Sequence, residues 1–250
     1  MNKYGLIGSN VKYSYSKIIH EKLYKEFNIN AKYDLISLNE SELESYVNKL
    51  RDNEYSGFNI TVPFKTEILK YVDEKSDSVK KLGACNTLLL KNGKIYADNT
   101  DTFGFKMLLN HFDIDLQKCF ILGSGGSSKS VQYVLSNLKI EFDVISRNST
   151  LNYKYLEKNI TNESIINTTP IGMYPNIDES MISLDIASKA TYIIDLIYNP
   201  NNTLLMSYNK NSYNGLVMLV YQAIKSFEIW TGIIIEEDLC KKIVKEIEVI

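Results

Sequence analysis

Chemistry that depends on thiols, metals or a histidine base finds few parts in this sequence. Its 250 residues include three cysteines, Cys85, Cys119 and Cys240, far apart and without a CxxC spacing, which suits a reducing compartment rather than a disulfide framework. The only histidines are His20 and His111, with no HExxH pair and no cysteine cluster, so neither a zinc site nor a Ser-His triad finds enough parts. Charge of one sign is not in excess either. A net charge of −2 argues against a nucleic-acid surface, which relies on clustered Lys and Arg. No apolar run approaches membrane-spanning length, and no basic and apolar leader pattern precedes the first strand; a cytoplasmic protein without a membrane partner is expected. Repeats, low-complexity tracts and long linkers are also lacking. What remains is an ordinary globular composition, 44% hydrophobic and 23% charged, in a chain long enough for one large domain or two smaller ones, with two expected.

The stretch Asn59-Ile60-Thr61-Val62-Pro63-Phe64-Lys65 organises the first half. Ahead of it, Lys3 to Ile7 reads as a strand and Gly8-Ser9-Asn10 as the turn after it. Tyr13-Ser14-Tyr15-Ser16 follows, then a helix over Lys17 to Phe27 with Ile18, Ile19, Leu23 and Phe27 at helical spacing. Ser14 and Ser16 sit two apart, so in an extended segment their hydroxyls point the same way. Ser16 either caps the helix or joins an anion site at its start, and both can hold. Ala31 to Ser37 reads as a second strand, Glu40 to Asn53 as an amphipathic helix and Gly57 to Val62 as a third strand. That β-α-β-α-β order favours a parallel sheet. Pro63 stops the third strand, and Lys65 stands just beyond it, where strand ends open onto the face that α/β proteins use for ligands. Thr66 to Tyr71 and Glu74 to Leu82 read as short helical stretches. Gly83-Ala84-Cys85-Asn86-Thr87 then leads into Leu88 to Leu90, and Asn92-Gly93 supplies a tight hairpin turn back through Ile95 to Ala97, closing the parallel unit with an antiparallel pair. Asp98 to Gly104 opens a helix running to about His111, with Asp101 or Thr102 as its N-cap on position alone.

In the second half, Lys118 to Leu122 is a buried-type strand that runs into Gly123-Ser124-Gly125-Gly126-Ser127-Ser128. Ser128 to Leu138 reads as a helix and Phe142 to Ile145 as another strand. This β, glycine turn, α, β context is what lifts a glycine motif above chance. Gly125 and Gly126 let the backbone approach a pyrophosphate at the helix start, where free N–H groups favour anions; Ser128 replaces the usual third Gly or Ala. The second strand ends in Ser146-Arg147-Asn148 with no carboxylate for a ribose 2′-OH. Arg147 is either an ordinary exposed arginine or a partner for a 2′-phosphate, and the latter favours NADP over NAD. Ser164 to Asn167 and Thr191 to Asp195 read as further strands, the first ending in the Thr168-Thr169-Pro170-Ile171-Gly172-Met173 loop at the edge where a dinucleotide would lie. A helix starts near Gly215 and continues through Phe227, with Met218 and Gln222 sharing a face, and Glu236 to Ile247 closes the chain as an amphipathic helix.

In order and spacing, Ser14-x-Ser16, Asn59 to Lys65, Gly83 to Thr87, Asn99-Thr100-Asp101, Gly123-x-Gly125-Gly126, Asn167 to Met173 and the Gly215 to Gln222 helix resemble the shikimate dehydrogenase family over nearly the whole chain. The resemblance implies a two-domain α/β enzyme: a parallel-sheet substrate domain over 1–101, a Rossmann-like NADP-binding domain over 102–214, a cleft between them, and C-terminal helices over 215–250 returning to the catalytic domain. It implies NADPH-dependent reduction of 3-dehydroshikimate to shikimate, with Lys65 and Asp101 as the catalytic pair. Ser14, Ser16, Thr61, Asn86, Tyr198 and Gln222 would hold the small-molecule substrate. Gly123, Ser124, Gly125, Gly126, Ser127, Ser146, Arg147, Thr168, Gly215 and Met218 would hold NADP. The family usually has His-Ser before its substrate serines and Ser-Pro after, where this chain has Tyr13-Ser14 and Ser16-Lys17. A monomer or homodimer is expected, and a dual-specificity quinate/shikimate dehydrogenase using NAD or NADP is the alternative. Lys65 suits proton donation to the nascent alkoxide, and Asp101 favours its charged form.

Overall fold

The computed structural model describes residues 1–147 and 149–249; Asn148, the third residue of the Ser146-Arg147-Asn148 motif, lies outside the described residues. The chain opens with β1 (Asn2–Gly8), α1 (Ser16–Glu26), β2 (Ala31–Ser37), α2 (Leu43–Arg51), β3 (Gly57–Ile60), β4 (Glu74–Lys75), α3 (Asp77–Leu82), β5 (Thr87–Lys91), β6 (Lys94–Asp98) and α4 (Asp101–His111). There follow β7 (Lys118–Leu122), α5 (Gly126–Asn137), β8 (Glu141–Ile145), α6 (Tyr153–Asn159), β9 (Ser164–Asn167), α7 (Leu184–Ala187), β10 (Ile193–Asp195), α8 (Leu204–Ser207) and β11 (Ser212–Asn214), and then α9 (Leu216–Thr231) and α10 (Glu237–Ile247). Among the described residues no helix is long and apolar enough to cross a membrane.

Two compact units result: Met1–Gly104 with Val220–Ile250, and Phe105–Leu219. The divisions fall inside α4 and α9, a few residues beyond the expected breaks at 101 and 214. The first unit holds a six-stranded sheet in the order β2-β1-β3-β5-β6-β4. β1 pairs in parallel with β2 and β3, and β5 runs antiparallel to both β3 and β6. Its core gathers Ile7, Phe58, Ile60, Ile68, Leu88 and Ile95. Every residue of β3 is buried, as in a strand covered on both faces. The second unit holds a wholly parallel sheet, β11-β10-β9-β7-β8, over a core that includes Phe120, Leu122, Ile145, Ile165 and Ile193. In each sheet the strand order reverses beside the first strand, between β1 and β3 and between β7 and β9. Open α/β sheets receive ligands at the carboxyl edge of such a switch point.

Four local expectations change. Tyr15, not Ser16, is the N-cap residue of α1; Ser16 is its first residue, and its backbone N–H donates to Ser14 Oγ at 3.2 Å. Glu74 to Leu82 is not one helical stretch. Glu74–Lys75 pairs in parallel with β6 outside the hairpin, and α3 starts after Ser76, whose hydroxyl accepts from the Val79 N–H. β3 ends at Ile60, although the Thr61 N–H still donates to Ile7 O at 2.8 Å. Finally, α5 begins at Gly126 with Gly125 as its N-cap, two residues before the expected start, because glycine meets no penalty at a helix entry. Helices α6, α7 and α8 went unread for lack of length: seven, four and four residues carry almost no periodic signal.

Candidate active site

In the first unit Lys65 and Asp101, 36 residues apart, meet: Lys65 Nζ donates to Asp101 Oδ2 at 2.5 Å. Their positions follow from the strands. Beyond β3 the chain turns, with the Phe64 N–H donating to Thr61 O at 3.0 Å, and the Cys85 N–H donating to Lys65 O at 2.8 Å fixes the lysine backbone beside the entry to β5. Asp101 starts α4, but its carboxylate faces the lysine and Asn86 rather than serving as a simple helix cap. The pair is only 8% and 6% exposed, so each charge depends on the other for the solvation it has lost.

Asn86 completes the arrangement. Its Nδ2 donates to Asp101 Oδ1 at 2.8 Å and to Gln222 Oε1 on α9 at 3.3 Å, while its Oδ1 accepts from the Thr100 N–H at 2.7 Å. Four of the expected site residues, Lys65, Asn86, Asp101 and Gln222, thus form one bonded cluster. The structure sets Ser14 and Ser16 together, the Ser14 hydroxyl donating to Ser16 Oγ at 3.0 Å. That segment follows β1, and the Ser14 N–H donates to Val11 O at 3.0 Å. Thr61 follows the adjacent strand, and a Cβ at Gly8 would lie 2.5 Å from its methyl and 2.8 Å from Val11, so the two loops press together at the switch point. Cys85, beside this cluster, is fully buried, and burial pushes its thiol up to about 12, so it offers no nucleophile. Four further polar residues with no role in the sequence reading, Asn59, Thr87, Thr100 and Ser226, are buried and bonded to one another beneath the cluster. Asn59, Thr87 and Thr100 lie inside the motifs that carry the family resemblance, and Ser226 shows in the sequence as a polar residue within the hydrophobic face of α9.

In the second unit most of the expected cofactor residues follow the carboxyl ends of β7, β8 and β9, while Gly215 follows β11 and Met218 lies on α9. Gly123 has φ +104°, a region L side chains avoid, and a Cβ there would sit 2.8 Å from both Thr168 Oγ1 and the Thr169 methyl. Gly125 differs: a Cβ would meet nothing within 4 Å, so the space beside it, before the start of α5, is open. The N–H groups of Gly126, Ser127 and Ser128 open that helix and have no acceptor one turn earlier within it. Ser128 is fully buried and accepts from Gln132 Nε2 at 2.9 Å, a small residue packed where the usual pattern has Gly or Ala. Ser146 and Arg147 follow β8, with the arginine exposed. Thr168 follows β9, and both its N–H, at 2.9 Å, and its hydroxyl, at 2.6 Å, donate to Leu122 O. An anionic dinucleotide with a 2′-phosphate fits this donor set: an unobstructed glycine turn, a helix start and a guanidinium at the next strand end. Tyr198 lies half-buried beyond β10. Met218 is buried, and Gly215 is held by packing, since a Cβ there would fall 2.1 Å from Leu196 O.

The second unit also buries a carboxyl group that sequence reasoning passed over. Asp195, fully inaccessible, accepts from Asn167 Nδ2 at 2.9 Å, the Ile197 N–H at 3.1 Å and Thr203 Oγ1 at 2.7 Å. Burial pushes it up to about 6 against the pull of these donors.

Comparison with known proteins identifies the family. Residues 6–88 match the model of the shikimate dehydrogenase substrate binding domain, and residues 215–245 that of the shikimate 5'-dehydrogenase C-terminal domain. A shikimate dehydrogenase (NADP(+)) of Clostridium beijerinckii is 35% identical over 248 residues, 92% of each chain. The chain belongs to the shikimate dehydrogenase family. Shikimate dehydrogenase 1 from Peptoclostridium difficile, a solved structure, matches with a TM-score of 0.94 at 35% identity, covering 100% of this chain and 98% of that one. A second solved shikimate dehydrogenase, in complex with NADP+, matches with a TM-score of 0.83 at 30% identity, covering 98% and 95%. The α/β class with parallel sheets, expected from the strand pattern, is the class of this family.

Proposed function

We propose that the protein is an NADP-dependent shikimate dehydrogenase that interconverts 3-dehydroshikimate and shikimate. The observation that carries this reading is the buried Lys65–Asp101 pair with Asn86 on the second carboxylate oxygen. NADPH, when bound, supplies the hydride that reduces the substrate carbonyl. Lys65 gives its proton to the carbonyl oxygen as that oxygen gains negative charge, and the ammonium stabilises the charge before transfer. Asp101 holds the lysine in place, and Asn86 holds Asp101. The reverse reaction needs Lys65 neutral, accepting the substrate hydroxyl proton.

Substrate contacts are assigned to the first unit: Ser14 and Ser16 toward the carboxylate, Thr61, Asn86 and Gln222 toward the ring hydroxyls, with Tyr198 added from the second unit by family resemblance. Neutral hydroxyls and amides suit a small polyhydroxylated acid and reject analogues lacking those hydroxyls. Gly123, Ser124, Gly125, Gly126 and Ser127 are assigned to the pyrophosphate, Ser146 and Arg147 to the 2′-phosphate, and Thr168, Gly215 and Met218 to the rest of NADP. Three buried free thiols are in keeping with a cytoplasmic enzyme. The test is absorbance at the NADPH band, with shikimate and quinate each offered against NADP and NAD. Reduction of NADP with shikimate is expected to be fastest; no turnover of either substrate would remove the assignment.

A further inference from the structure

The site cluster rests on a second layer of side chains centred on one hydroxyl. Ser226 lies on α9 one turn after Gln222 and is fully buried. It receives a hydrogen bond from Asn59 Nδ2 at 2.8 Å, stands 2.9 Å from Thr87 Oγ1 and 3.1 Å from Thr100 Oγ1, and donates to Gln222 O at 2.9 Å. Asn59, 4% exposed, also donates to Thr87 Oγ1 at 3.1 Å and Asn86 O at 3.2 Å, and its Oδ1 accepts from Tyr33 OH at 2.7 Å.

Each residue meeting here adjoins one already assigned to the site. Thr87 follows Asn86, Thr100 precedes Asp101, Asn59 lies two before Thr61 on the strand that delivers Lys65, and Ser226 lies four after Gln222. Four segments of the chain are therefore registered against one another by a buried, bonded core. Such a network transmits a displaced member to its neighbours, because each donor left unpaired in a buried setting must find another partner.

We propose that Asn59 and Ser226 are coupled positioning residues for the Lys65–Asp101 reaction: together they fix the entry to β5, where Asn86 stands, and the segment carrying Asp101, and so the orientation in which Asp101 holds Lys65. This rests on the dehydrogenase reading of the same site. Tyr33 OH pins the Asn59 amide so that its Nδ2 faces Ser226 and Thr87, and Ser226 reaches α9 through Gln222 O.

The experiment is steady-state oxidation of shikimate by NADP across pH, with thermal melts, for wild type, Ser226→Ala, Ser226→Thr, Asn59→Ala and the double variant. Ser226→Ala removes one oxygen and is expected to fold. A fall in kcat of about fivefold is expected for it and about 30-fold for Asn59→Ala, with the shikimate KM within about twofold and a displaced pH profile. Ser226→Thr, which keeps the hydroxyl, should recover most of the loss. The double variant should be little worse than Asn59→Ala alone, the sign of a shared interaction. Folded Ser226→Ala enzyme with wild-type kcat and pH profile, or losses that simply multiply, would overturn the proposal. A wild-type protein inactive with shikimate would instead strike the dehydrogenase reading, and shows before any variant is made.

Discussion

Asp101 and Asp195 are both buried carboxylates beside a strand end, and an asparagine amide donates to Oδ1 of each, from Asn86 at 2.8 Å and from Asn167 at 2.9 Å. They differ in the partner of the other oxygen. Asp101 Oδ2 faces the Lys65 ammonium, whereas Asp195 Oδ2 accepts from the Thr203 hydroxyl, which itself accepts from the Met206 N–H at the start of α8. The first arrangement joins a carboxylate to the ammonium proposed above to surrender a proton to the substrate. The second ties a carboxyl group to donors that are parts of the fold, holding β9, β10 and the loop after it together. Burial and an amide partner alone do not mark a reactive acid; the chemistry of the remaining partner does.

The widest separation between the two comes from removing the ammonium. Lys65→Ala is expected to lower kcat by about 10³-fold, within the range of lost acid catalysis and charge stabilisation, with a modest change in KM. Steady-state kinetics decide it, and an unchanged kcat with a raised KM would leave lysine a binding role. Next, Asp101→Asn should lower kcat by about 10²-fold, whereas Asp195→Asn should leave kcat within about twofold. Equal losses in both would erase the distinction drawn here.

Stability against pH sharpens the contrast from the other side. Asp195 has its folded-state pKa raised to about 6 by burial, above the usual carboxylate value. The folded protein then holds this proton more tightly than the unfolded chain, so the stabilising contribution is present in acid and is lost as pH rises to about 6. The loss is about 2–3 kcal/mol at most for a shift of this size. Asp195→Asn removes the titration, and urea denaturation should show its stability relative to wild type improving between about pH 4 and pH 7. The smallest effect concerns the edge of the second sheet: Arg147→Leu should lower kcat/KM for NADP about tenfold, near 1.4 kcal/mol, and leave that for NAD unchanged.

Strands read well in the sequence where burial on both faces writes itself as an apolar run, as in Cys119 to Leu122. The glycine turn read well because only its sequence suits a strand-to-helix entry. Asp195, by contrast, stood unread at the end of Thr191 to Asp195, since a carboxyl group at a strand end looks the same whether its partner is water or Thr203. Ser16 was legible as a helix start but not as the residue one past the cap, a difference decided by backbone angles at Tyr15. That Asn59 and Ser226, 167 residues apart in the chain, pair with each other is written in no local pattern.

Residue type and spacing alone marked candidates: a lysine just past Pro63, a carboxylate opening a helix, hydroxyls two apart, glycines in a strand-to-helix turn, with the pairing of Lys65 and Asp101 implied by family resemblance. The candidates are local properties of the chain, and local chemistry suffices to read them. Which carboxylate meets the ammonium, and which is spent on holding the backbone, was settled only when distant strands came into register, because a hydrogen bond exists only where folding places donor and acceptor within about 3 Å.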